Sequence, residues 1–76
     1  MLEKLIEFYE KEYDEMETLI ISEDRPAWVK PRKLVKNSKC RLLGATQFAQ
    51  VLGIDFEDIK GYFEIYCEKL DLLLDE

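Results

Sequence analysis

Both ends of the chain carry apolar residues in helical step, and this limits the possible folds more than any other feature. Leu2, Ile6, Tyr9, Tyr13, Met16 and Ile20 succeed one another at steps of 4, 3, 4, 3 and 4, with Leu5 and Leu19 widening the stripe. Steps of three and four put side chains on one side of a helix, where a strand would need strict alternation. The spacing predicts a helix over Leu2–Ile21 whose other faces carry Glu3, Glu7, Glu10, Lys11, Asp14 and Glu17. Near the other end Phe56, Ile59, Phe63, Tyr66, Leu70 and Leu73 step by 3, 4, 3, 4 and 3, with Tyr62 and Leu74 beside them. That seam predicts a helix from Asp55 to about Leu74, with the Asp55 carboxylate capping the orphan amides of its first turn.

The middle is less regular. Ser22–Pro26 should end the first helix, because Pro26 has no amide hydrogen and disfavours a helical Arg25. Trp28 lies between Pro26 and Pro31; as the one tryptophan of a small chain it is expected to plug the edge of the core, with an exposed recognition aromatic as the alternative. Pro31 suits the first turn of a helix. Only Leu34 and Val35 supply an apolar face before Asn37-Ser38, however, so a short helix and then a turn are expected, with a β-hairpin as the alternative. Gly44 reads as a stop. A short helix should follow over Ala45–Leu52, begun by Ala45 or, by capping chemistry, by Thr46. Gly53 then stands where a left-handed residue closes a helix.

Charge divides the chain into three blocks. Residues 1–24 hold nine acids and two lysines, a balance of −7; residues 55–76 hold eight acids and two lysines, a balance of −6. Between them Arg25, Lys30, Arg32, Lys33, Lys36, Lys39 and Arg41 give +7 with no acid, so the chain totals −6. One reading neutralises the basic block internally against the two acidic arms. The other leaves it as a patch for an anionic partner, through Arg32, Lys33, Lys36, Lys39 and Arg41 with Gln47 and Gln50.

Several functions have little to stand on. The chain has no histidine, and Cys40 and Cys67 lie 27 residues apart with no CxxC pair, so neither a metal nor another cofactor is expected. No glycine-rich phosphate loop and no nucleophile–base spacing is present, and 76 residues leave little room for an enclosed cleft, so no catalytic residues are assigned and no enzyme is expected. The longest wholly apolar runs are three residues, as at Leu72–Leu74. Met1–Glu10 has no basic-then-apolar leader pattern, so the expectation is a cytoplasmic protein with free thiols and no membrane span.

Ala49, Gly53, Ile54, Ile59 and Tyr62, with Phe48 and Leu52 on the core side of the first helix, follow the spacing of a helix-turn-helix. Residues 44–64 thus resemble the helix-turn-helix unit of small phage and bacterial regulators. The resemblance implies that Ala49 lets two helix axes approach, that Gly53 turns the chain, and that Ile54, Ile59 and Tyr62 pin the second helix. It also implies a second helix laid in the DNA major groove by its first residues. In this chain those are Asp55, Phe56, Glu57, Asp58, Lys60, Gly61 and Glu64, four acids against one lysine, which phosphate would repel.

The sequence therefore predicts a single all-α domain over residues 1–76. Its parts are an acidic helix (1–24), a basic linker with a short helix (25–43), and a helix-turn-helix-like unit running into a long C-terminal helix (44–76). Two long amphipathic helices would pack together or across a homodimer, with Trp28, Phe63, Tyr66 and Leu70 in the core or an interface. The function expected is a small non-enzymatic binding protein of phage or mobile-element type, acting on a protein partner. The alternative is a DNA-binding regulator that uses the basic block at 25–41.

Overall fold

A computed structural model describes residues 2–22, 26, 28 and 30–75. The described residues form three helices, α1 (Leu2–Ile21), α2 (Pro31–Val51) and α3 (Phe56–Leu72), and one 3-10 turn at Leu73–Asp75. They lie side by side in an all-α bundle of 41 × 18 × 17 Å. Side-chain pairs fix the directions. Tyr9 meets Thr46, and Glu12 meets Ser38 and Arg41, so α1 and α2 are antiparallel. Lys39 meets Asp71, so α2 and α3 are antiparallel as well. Tyr66 reaches Glu10, as parallel α1 and α3 require.

α1 and α3 form where the apolar steps predict them. α1 buries Leu5, Tyr9 and Met16, and α3 buries Ile59, Tyr66 and Leu70, followed by Leu73 in the 3-10 turn. Asp55 is the N-cap of α3, its Oδ1 accepting from the Glu57 amide at 3.2 Å. The acids that open α3 thus face the positive end of the helix dipole.

The middle of the chain departs from expectation. α2 is one helix of 21 residues, with no turn at Asn37-Ser38, no stop at Gly44 and no β-hairpin. Its inward stripe is Val35, Ser38, Leu42, Thr46 and Ala49, steps of 3, 4, 4 and 3. Two of the five are hydroxyl residues, which is why apolar periodicity alone missed the helix. Both hydroxyls have partners: Ser38 Oγ donates to Glu12 Oε1 at 3.0 Å, and Thr46 Oγ1 donates to the Leu42 carbonyl at 2.8 Å. Thr46 is consequently a buried mid-helix residue, not an N-cap. α2 begins at Pro31 after an extended Lys30 (φ −91°, ψ 128°), the conformation a following proline favours.

Gly53 ends α2 as its position suggests, with φ 104°. The Gly53 amide donates to Gln50 O and the Ile54 amide to Ala49 O, the two bonds of a Schellman motif. The first few residues after α2 thus hold the chain in a tight reversal. The result is a helical hairpin: α3 runs back along α2 as far as the level of Lys39 and Asp71. In a helix-turn-helix the pair would cross at roughly 90–120°. Ala49 and Ile59 are buried as that resemblance implies, but Phe48, Leu52 and Tyr62 are exposed. Phe48 and Leu52 fall outside the stripe that faces the core. The structure thus matches the resemblance at the turn and in the burial of Ala49 and Ile59, and does not confirm the rest of the unit.

Trp28 is no plug, being 80% exposed. Arg25 and most of the Ser22–Pro26 stop lie outside the described residues; α1 itself ends at Ile21.

Candidate functional site

Three grooves run along a three-helix bundle, and here two of them are closed by polar side chains. Between α1 and α2, Glu12 is 7% exposed, and its Oε1 accepts from Ser38 Oγ and from the Arg41 guanidinium. Arg41 also lays Nη2 against Met16 Sδ at 4.0 Å. Between α1 and α3, Lys69 Nζ stands 5.3 Å from the Tyr13 ring centroid and 5.0 Å from that of Tyr66. Tyr66 Oη donates to Glu10 Oε1 at 3.2 Å beneath it.

The groove between α2 and α3 is open, with a volume of about 740 Å³. Val35, Leu43, Phe63 and Leu74 give it apolar walls. Arg32, Lys36 and Lys39 stand along its α2 side, and Cys40 and Cys67 face it from opposite helices. Asp71, on α3, bonds Lys39 Nζ through both carboxylate oxygens at 3.1 and 3.2 Å, an exposed pair across the groove. Among the described residues no ion pair is found for Arg32 or Lys36. A second depression, along Glu7–Leu19, is formed by α1 alone and has no opposing wall.

The basic block is thus divided. Arg41 and Lys39 are neutralised by one acid from each arm, Glu12 and Asp71. Arg32 and Lys36 line the groove, whereas Lys33 is exposed on a different face of the helix. Gln47 and Gln50 are exposed and continue the groove side of α2 toward the turn, by the steps 39, 43, 47 and 50. Of the apolar candidates, Tyr66 and Leu70 belong to the core, while Phe63 is half-buried and lines the groove. Leu43 and the two cysteines were missed as site residues. The signal was present: 32, 36, 39 and 43 share one helical stripe once α2 is read as a single helix.

The chemistry of the groove is quiet. Burial pushes the Cys67 thiol up; the Lys39 charge pulls it down by less, and Asp71 adds to the rise. A thiol held protonated is a poor nucleophile. Among the described residues no three Cys, Asp or Glu side chains converge as a metal site would need, and no helix is long and apolar enough to cross a membrane. Comparison with family models, curated proteins and solved structures finds no match to this chain.

Proposed function

We propose that the chain is a small non-enzymatic binding protein that engages a protein partner through the α2–α3 groove. One observation carries this reading: the groove is apolar within and basic along one side, while the other two grooves are closed by polar contacts. Apolar walls reward contact with side chains, and cations at the margin select the partner and steer its approach. Among the described residues the one carboxylate lining the groove is tied to Lys39, and the half-buried thiol is held protonated, which supports binding over catalysis.

The second reading, a DNA-binding regulator, draws on the exposed Arg32, Lys33 and Lys36. Against it stand the two cations already paired and the exposed Asp55, Glu57 and Asp58 at the start of α3. Phosphate contacts would also leave the apolar walls wet. The two readings separate in one experiment. A photo-cross-linker is attached to Cys40 in a Cys67→Ser background and exposed to lysate with and without nuclease, beside a gel shift with random duplex DNA at low salt. A single cross-linked protein that survives nuclease, with no gel shift, is expected. Tight duplex binding abolished by charge reversal at Lys33 and Lys36 would establish the DNA reading in its place.

A further inference from the structure

Resting on the protein-binding reading above, we propose that the occupant of the α2–α3 groove is an amphipathic helix with an acidic flank, docked as a fourth helix of the bundle. The dimensions suit a helix. From Arg32 to Leu43 the groove follows twelve residues of α2, eleven rises of 1.5 Å or about 16 Å, three turns. A helix of that length presents apolar side chains at i, i+3 or i+4, and i+7, and the groove offers Val35, Leu43, Phe63 and Leu74 to receive them. Two antiparallel helices already form the wall, and a further helix laid between them repeats bundle geometry.

Charge sets the chemistry of the flank. Arg32 and Lys36 stand on the α2 side without an ion pair among the described residues, while Lys39 is held by Asp71. A helix whose flank over α2 carries Glu or Asp would pair with these two cations, which no described acid holds. Nucleic acid fits less well, since a phosphate backbone has nothing to place against Leu43, Phe63 and Leu74. An acyl chain also fits less well, because an open groove leaves one side of it in water.

Asp71 makes the idea testable without disturbing the core. Replacing Asp71 by Asn removes an acid from the groove and frees Lys39, so it should strengthen an acidic occupant. Arg32→Glu with Lys36→Glu should weaken it, and both residues are exposed, so the fold should survive. The probe is a fluorescein-labelled 18-residue peptide with Leu in i, i+3, i+7 register, Glu on one flank and Gln on the other. Binding to the full chain is read by anisotropy, and circular dichroism checks each variant. The expected results are saturable binding, weakened about tenfold by the double charge reversal and strengthened several-fold by Asp71→Asn. Saturation should also slow alkylation of Cys40, which lies at the groove. An order-scrambled peptide, and one with Lys for Glu, should bind at least several-fold more weakly.

Equal binding of the scrambled peptide, or no response to either charge change, would overturn the proposal. Displacement of the peptide by random duplex DNA or oleate, with the same dependence on Arg32 and Lys36, would overturn it too. A dimer of the free protein that Lys36→Glu dissolves would make a second copy the occupant and also refute it. If no peptide binds yet the Cys40 cross-linker still captures one protein, the acidic-helix inference fails while the protein-binding reading stands.

Discussion

At the residue scale Glu12 and Arg41 are the most informative pair, because they are unequally exposed. Glu12 is buried, whereas the Arg41 side chain is 47% exposed. Arg41→Ala strands a buried carboxylate with only Ser38 for company, and we expect it to cost about 3 kcal/mol. Glu12→Leu leaves an arginine that can turn to water and should cost less. The triple variant Glu12→Leu/Ser38→Ala/Arg41→Met should recover most of the loss, since apolar groups of similar volume often match a buried ion pair and no buried hydroxyl is then left without its acceptor. Urea unfolding of the three variants measures the ordering. Leu70 and Trp28 make a second contrast, 0% against 80% exposed. Leu70→Ala should cost roughly 2–5 kcal/mol, and Trp28→Ala should stay within about 0.5 kcal/mol. Leu70 and Tyr66 are buried at regular steps of the apolar seam, where burial could be read from spacing. For Trp28 only the preferred plug reading fails, since a general preference of tryptophan for burial says nothing about a segment between two prolines.

At the scale of elements, the two glycines of α2 and its turn should respond to alanine in opposite directions. Gly44 lies mid-helix, and a Cβ built there meets nothing within 4 Å. Gly44→Ala should therefore raise stability by about 0.5–1 kcal/mol through helix propensity and a less free unfolded chain. Gly53 has the same open space but a φ of 104°, so alanine there is strained and should cost about 1–2 kcal/mol. Melting temperatures of the two variants, moving apart around the parent, give the check. The elements also divide by how legible they were. α1 and α3 could be read directly, because apolar residues alone mark their inward faces. α2 could not, because two of its inward positions are hydroxyls: Ser38 is satisfied there by Glu12 of another helix, and Thr46 by the Leu42 carbonyl one turn back. The candidate groove was hidden for the same reason: its α2 side is a stripe of the helix that the sequence appeared to break.

For the molecule as a whole, the ionisable groups of the core foretell sensitivity to alkali. Burial is the largest influence raising the pKa of Tyr9, of Tyr66 and of Cys67. For Tyr66 the hydrogen bond to Glu10, and then the charges of Glu10 and Asp14, push the same way. Each group holds its proton more tightly folded than unfolded. Their contribution is therefore complete below the ordinary values, 9.0 for the thiol and 10.0 for the phenols, and is lost as pH rises through the raised ones. Urea midpoints should hold steady to about pH 9 and then fall, with Cys67→Ala removing the earliest part of the decline and Tyr66→Phe a later part. A flat profile in the parent would contradict the burial assigned to all three. The Glu12 contact has one more consequence, for handedness. Three helices joined in sequence can be wound either way round, and apolar stripes scarcely distinguish the two. On α1, Glu12 faces α2, while Glu10 and Tyr13 face α3. Wound the other way, Glu12 would turn toward the flank of α3 that carries Phe63, Cys67 and Asp71, where no cation or hydroxyl stands at its level. A buried carboxylate without a partner costs several kcal/mol. The contact of Glu12 with Ser38 and Arg41 thus adds to what favours the observed mirror sense of the bundle.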